Sequence, residues 1–341
     1  MNITIVGSGG LDSLEENMLE AFQWVDGVSA KLVNWPPRVK IAKSVFLSRA
    51  LNWIAKKQLI RSLFSPFLIR QVRHLDSDLI LVFTGAARLL PPELTAKLSQ
   101  YSKAVFCWFV DASMNMTENI LRSEYDHVYF IDKGLHDYLG PLLKTKNSSV
   151  LFEGFNSYHH KAMESFKVEN KIAVVGSMYP ERLLLLENLA QLGFQFEIYG
   201  FGLPRGYGDG PLRKFDMKEF LTLERKSEVF QRSKCVLNNF HPAHLNAINC
   251  RVFEAMASGA LVVSQSSQQL RATFEDRKDL ILYDNFEDLV EVLTKIFDDE
   301  FDEISIRKSS VSAVAPHSLS RRADTFIRDF KKFSSTSPRS D

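Results

Sequence analysis

The sequence is short of cysteine. It has three in 341 residues, Cys107, Cys235 and Cys250, which is too few for a disulfide framework and points to a reducing, cytoplasmic setting. Apolar runs are short too, and none approaches the roughly 20 residues of a membrane-spanning helix. The opening MNITIVGSGG reads as a first strand and turn, so no signal peptide is expected. There is no Cys/His cluster at metal-ligand spacing and no G-x-G-x-x-G fingerprint, which argues against a metal centre and a dinucleotide cofactor. Most unusual is the lack of acid: between Asp26 and Asp76 stand ten basic residues and no carboxylate, in a chain of net charge +1. The ten are Lys31, Arg38, Lys40, Lys43, Arg49, Lys56, Lys57, Arg61, Arg70 and Arg73, interleaved with Trp35, Phe46, Trp53, Phe64 and Phe67. Cations beside Trp and Phe are how peripheral proteins hold an anionic bilayer, so residues 36–73 are a candidate membrane contact. A core-facing helix with a solvated basic side would read the same way.

What is present is an ordinary soluble composition, 45% hydrophobic and 24% charged, in a chain long enough for two domains. Strand-like runs at 2–6, 29–34, 78–83, 103–109, 127–131 and 148–152 alternate with helical stretches, which predicts a parallel α/β domain. A second series follows at 171–175, 194–199, 234–238, 260–264 and 279–283. The boundary falls near 153–168. Two doubly wound domains in succession place ligand crevices at the carboxyl ends of their sheets.

The densest signal is Cys235 to Val263, CVLNNFHPAHLNAINCRVFEAMASGALVV. It predicts a buried strand, a polar loop, an amphipathic helix from about Asn249, then Gly259 and another strand. Arg251 and Glu254 stand three apart and share a helix face. The helix N-terminus offers N–H groups and a positive dipole end to a diphosphate, and Glu254, one turn in, could accept from two ribose hydroxyls. A βαβ unit with a solvated Arg–Glu pair fits the same pattern.

Asn249-Cys-Arg251-Val-Phe253-Glu254-Ala-Met-Ala-Ser-Gly259-Ala resembles the N-x-R-x-F-E-A-x-A-x-G-A signature of CgeB-like glycosyltransferases, within the group 1 type. The likeness runs from Ile172 to about Phe330. It takes in Val175-Gly176-Ser177 with Pro180-Glu181-Arg182, Ile198-Tyr199-Gly200, Leu237-Asn238, Leu280 to Asp284, and His317 with Arg321 or Arg322. In the first half it is looser, at Trp108 to Asp111 and Tyr125-Asp126-His127.

The resemblance implies a GT-B fold, with two Rossmann-like doubly wound domains facing a central cleft. Residues 1–155 would bind the acceptor and 156–316 the nucleotide-sugar. A last helix at 317–333 would cross back to the first domain, and 334–341 would be a disordered tail. Donor-binding residues would be Gly176, Ser177, Arg182, Asn249, Arg251, Glu254 and Gly259. Many retaining relatives carry glutamates eight apart. Glu254 matches the second, but Asn246 stands at the first, and an amide supplies no negative charge. Retention or inversion therefore does not carry over.

Asp111 ends the strand Val105 to Val110 and is the candidate catalytic base, with helix capping as its other reading. Asp12, His241 and His244 are rivals. Gly9 and Gly10 close the first strand and permit close approach of an acceptor or phosphate; His241 and His244 stand before the candidate donor helix. Asp76-Ser-Asp78 has D-x-D form but precedes its strand, the wrong end for a metal-diphosphate site. No metal and no cofactor are expected, since Arg251 and helix N–H groups can neutralise a leaving diphosphate.

The expected activity is sugar transfer from a nucleotide-sugar to a glycan hydroxyl in cell-surface polysaccharide or lipopolysaccharide synthesis, at the inner membrane face. A nucleotide-sugar 2-epimerase, a glycosyltransferase acting on modified DNA, and a non-catalytic nucleotide-sugar-binding protein remain open alternatives.

Overall fold

The computed structural model describes residues 1–36, 64–84, 90–110, 114–145, 147–163, 167–204, 206–242 and 246–336, with backbone alone for 114–116. Asp111, His244 and the basic residues from Arg38 to Arg61 lie outside the described residues. The chain divides into two compact units, Met1–Phe152 with Leu319–Asp341, and Glu153–Ser318.

The first unit runs β1 (Asn2–Gly7), α1 (Leu14–Gln23), β2 (Ser29–Asn34), α2 (Ser65–Val72), β3 (Ser77–Thr84), α3 (Pro92–Leu98), β4 (Ser102–Phe109), α4 (Met114–Arg122), β5 (His127–Phe130), α5 (Lys133–Leu139) and β6 (Ser148–Val150). Its six strands are parallel in the order β2-β1-β3-β4-β5-β6. Leu79 to Phe83 and Ala104 to Phe109 are fully buried, as unbroken apolar strands covered on both faces must be.

The second unit runs β7 (Glu169–Val175), α6 (Pro180–Gln191), β8 (Phe196–Tyr199), α7 (Leu223–Arg232), β9 (Ser233–Asn238), α8 (Cys250–Ala257), β10 (Val262–Gln265), α9 (Gln268–Thr273), β11 (Ile281–Tyr283), α10 (Phe286–Phe297) and α11 (Glu303–Val314). Its sheet is again parallel, in the order β11-β10-β9-β7-β8. From β7 the chain first adds β8 on one side, then returns to add β9 on the other. Such a reversal opens a crevice between the carboxyl ends of β7 and β9.

Three strands, β8, β10 and β11, begin two residues later than their apolar runs predict, and before β8 and β10 helix closure uses the residues in front. Phe194 N–H bonds Leu189 O before β8, and Ala260 N–H bonds Ala255 O before β10.

The last helix, α12 (Leu319–Thr336), belongs to the first unit. Phe326 is buried among Phe22, Trp108 and Tyr129, with ring centroids 6.3, 5.3 and 5.0 Å away, and Tyr129 donates to Asp329 at 2.9 Å. The helix continues through Ser334 to Thr336, where a disordered tail was expected. Among the described residues no helix is long and apolar enough to cross a membrane.

Candidate functional site

At the end of β7 the chain turns at Gly176, whose N–H stays in the sheet through a 3.0 Å bond to Tyr199 O. Two guanidinium groups border this turn. A Cβ at Gly176 would stand 3.1 Å from Arg182 Nη1 and 3.9 Å from Arg251 Nη2. Arg182, in the first turn of α6, is buried and bound to main chain and loop: Nη1 donates to Ser177 O at 3.0 Å, Nε to Asn239 Oδ1 at 2.7 Å and Nη2 to Asn239 O at 2.9 Å. Burial presses its pKa down, and the nearby Arg251 charge acts in the same sense. Tyr179 lies under its guanidinium at 4.7 Å and donates to the same Asn239 O, while His241 packs edge-on to Tyr179 at 5.1 Å. Arg182 thus fastens the turn after β7 to the loop after β9. Ser177 is exposed on that turn.

Helix α8 follows that loop. Asn249 is its N-cap: Oδ1 accepts from Val252 N–H at 3.3 Å, and Nδ2 donates to Asn238 Oδ1 at 3.0 Å. Cys250 N–H is taken as well, at 2.6 Å, by a carboxylate oxygen of Glu153. The open N–H groups expected there are therefore partly engaged, and the partly exposed Arg251 guanidinium adds a positive charge at this end.

Gly259, expected among the donor-binding residues, is placed elsewhere. It terminates α8 with φ +74, its N–H bonding Met256 O and the next N–H bonding Ala255 O, both at 3.0 Å. This is the glycine cap of a helix end, and it lies at the opposite end of α8 from Asn249. Its place in the signature is architectural.

Glu254 is 7% exposed, and both its oxygens are held. Oε1 accepts from Lys226 Nζ at 2.7 Å and Oε2 from Arg251 Nη1 at 2.6 Å, with His160 Nε2 3.8 Å from Oε1. Burial alone would raise this carboxyl, but Lys226, Arg251 and His160 outweigh it and bring it to about 2. The solvated Arg–Glu pair that the sequence also allowed is thus replaced by a buried carboxylate held between the buried Lys226 and the partly exposed Arg251. Behind it Ser258 receives a bond from Ser227 at 2.8 Å and donates to Glu254 O at 2.8 Å.

In the first unit, a Cβ at Gly9 would lie 2.7 Å from Leu32 Cδ2 and 2.8 Å from Asn34 Oδ1, so those two side chains would have to shift. Ser8 N–H donates at 3.0 Å to Glu15 Oε1, a fully buried carboxylate, and Gly10 O accepts from Ser13 N–H. One N–H that a phosphate would meet at this turn is thus already taken by the Glu15 side chain. Asp78 stands near the amino end of β3, where its oxygens take Lys103 Nζ and Asn2 N–H, each at 2.8 Å. Among the described residues no three His, Cys, Asp or Glu side chains cluster as metal ligands would.

Lys226, His160, Glu153 and Asn239 escaped the sequence reading. Lys226 left a trace, because it shares a helix face with Val229 and Phe230, and a lysine on an apolar stripe implies a buried partner. Glu153 and His160 reach α8 from 97 and 98 residues away and left none.

Residues 182–328 match a family model described as glycosyl transferase-like. No curated protein matches the chain in sequence. Its backbone is similar to that of sucrose-phosphate synthase from Thermosynechococcus elongatus, with TM-score 0.68 and 12% identity over 97% of this chain and 99% of that one. A glycosyltransferase from Rickettsia africae gives 0.68 and 12% over 98% and 99%. Anabaena HepE, solved in complex with UDP-glucose, gives 0.66 and 13% over 99% and 100%. Two parallel α/β units, matched over their whole length, make this a two-domain Rossmann-like GT-B fold.

Proposed function

We propose that this chain is a group 1 glycosyltransferase, of the CgeB-like subgroup, that moves a sugar from a nucleotide-sugar donor to an acceptor hydroxyl. The observation that carries the proposal is the ionised Glu254 paired with Arg251 beside the Gly176 turn, at the switch point of the second sheet. Glu254 would accept from the ribose hydroxyls. Arg251, Gly176 and Ser177 would meet the diphosphate, and Asn249 and Arg182 would fix the loops that hold them. The glycosyl transferase-like match spans α8, and similar folds bind UDP and UDP-glucose, which supports the same reading. The first unit would bind a glycan acceptor of cell-surface polysaccharide or lipopolysaccharide synthesis. Asp111 would serve as base if the reaction inverts.

A guanidinium that can turn to a leaving diphosphate does the work of a metal ion, so no metal or cofactor is required. The protein, incubated with UDP-, GDP-, ADP- and CMP-sugars and extracted lipid-linked glycans, is expected to extend an acceptor in excess EDTA as well as in magnesium. Turnover abolished by chelation would overturn the metal-independent account. Conversion of a donor without acceptor would instead identify an epimerase.

The basic segment would place the acceptor at an anionic membrane surface. In its described part, Phe67 is 50% exposed beside the solvent-facing Arg70 and Arg73, while Leu68 and Val72 of the same helix are buried. Each cation near an anionic surface contributes about 1 kcal/mol, screened by salt. Wild type should sediment with anionic vesicles at low salt, and Arg49→Gln/Lys56→Gln/Lys57→Gln/Arg61→Gln should not. Equal sedimentation of wild type with neutral and anionic vesicles would remove the membrane from the proposal.

A further inference from the structure

We infer that Lys226 is a positioning residue: it holds the Glu254 carboxylate in place as an acceptor for two hydroxyls once Arg251 turns from it to a diphosphate. The inference rests on the nucleotide-sugar reading above and adds to it a residue outside the signature.

The two cations on Glu254 differ in what else they can reach. Arg251 is 22% exposed in its side chain, and its Nη2 already borders the Gly176 turn. A guanidinium binds phosphate oxygens in pairs, so an arriving diphosphate competes with Glu254 for it. Lys226 is 3% exposed in its side chain, comes from α7 behind the site, and bonds the other carboxylate oxygen at 2.7 Å. Its burial keeps it from the diphosphate, so its bond to Glu254 persists when Arg251 leaves.

The other groups around α8 do not replace it. His160, from the segment before β7, is pressed down to about 4 by burial, so near neutral pH it brings no charge. Glu153 faces the start of α8 with a charge of the wrong sign. Arg307 of α11, which packs on α8, donates to Gln231 O, Ser233 O, Lys234 O and Gly259 O. An ionised carboxylate presents two acceptor oxygens, whereas a protonated one presents a donor and breaks the match to two hydroxyls. Burial pushes Glu254 toward the protonated form, and Lys226 is the charge that stays to oppose it.

The test measures nucleoside diphosphate affinity from pH 5.5 to 8.5, carrying forward the tightest binder of UDP, GDP, ADP and CDP. Each variant is read as a ratio to wild type, so that titration of the free ligand cancels. Lys226→Met is expected to bind about 10-fold more weakly at pH 8.5. The ratio should grow as pH falls, by up to about 10-fold per unit, because the Glu254 carboxyl must give up one proton for the ligand to bind. Lys226→Arg, which keeps the charge, should show a flat ratio. Lys226→Met/Glu254→Gln strands neither the lysine nor the carboxylate; it should match Glu254→Gln in affinity and show no pH trend. A flat ratio for Lys226→Met beside a weakened Glu254→Gln would reduce Lys226 to packing. Should Lys226→Met not fold, a double variant binding well below Glu254→Gln would show Lys226 acting apart from Glu254, and would equally overturn the inference. Glu254→Gln binding like wild type would instead refute the ribose reading itself.

Discussion

Glu254→Ala is expected to cost stability as well as ligand affinity, about 3–5 kcal/mol of the former, because it breaks a buried ion pair and strands Lys226 without its carboxylate. For a unit of this size that is a fall in melting temperature of roughly 10 °C. A surface Arg–Glu pair would be worth at most about 1 kcal/mol, so the magnitude alone separates the two readings of this signature. Nucleoside diphosphate affinity should fall roughly 10- to 100-fold, as for the loss of a charge-assisted hydrogen bond. Removing both charges, with Lys226→Met/Glu254→Gln, should recover much of the stability and none of the affinity. Thermal denaturation and calorimetry on the same samples decide the matter. An unshifted melting temperature for Glu254→Ala would contradict the buried pair, and unchanged affinity would take Glu254 out of the binding site.

Gly200→Ala should be comparably damaging by another route. Gly200 follows β8 with φ +140, a conformation that L side chains rarely adopt, which alone costs about 1–3 kcal/mol. The added Cβ would also lie 2.6 Å from Gly176 O, a backbone atom that cannot swing aside as a flexible side chain would. The turn after β7 would have to shift, carrying Gly176 away from Arg251. A loss of about 3 kcal/mol or more is expected, with a fall in nucleotide affinity of at least about 10-fold. Gly193→Ala is the control: its φ is +93, but nothing lies within 4 Å of the added Cβ. It should lose stability from strain alone and bind normally. Equal affinity losses in the two variants would mean that contact between the two turns has no bearing on the site.

Much of this architecture is legible in the sequence because parallel strands buried on both faces must be unbroken apolar runs. Leu79 to Phe83, Ala104 to Phe109 and Ile172 to Val175 announce themselves in this way. Their edges are less legible, since β8 and β10 begin only where the preceding helix caps end. The spacing of Arg251 and Glu254 on one helical face is also a property of the sequence, fixed by the 3.6-residue period. So is Asn249 as the N-cap.

What those residues do was decided by tertiary packing. Three-residue spacing says that Arg251 and Glu254 can meet, but is silent on whether water surrounds them. Burial follows from α7 and the 155–160 segment closing over α8, which brings Lys226 from 28 residues away and His160 from 94. The same distance-blind pattern could not separate Gly259, a helix terminator, from Gly176, a turn between two arginines, because glycine looks alike wherever a side chain is excluded. Local periodicity sets which residues share a face. Desolvation and charge pairing, which set what a carboxylate on that face can bind, depend on groups that only the folded chain brings within 4 Å.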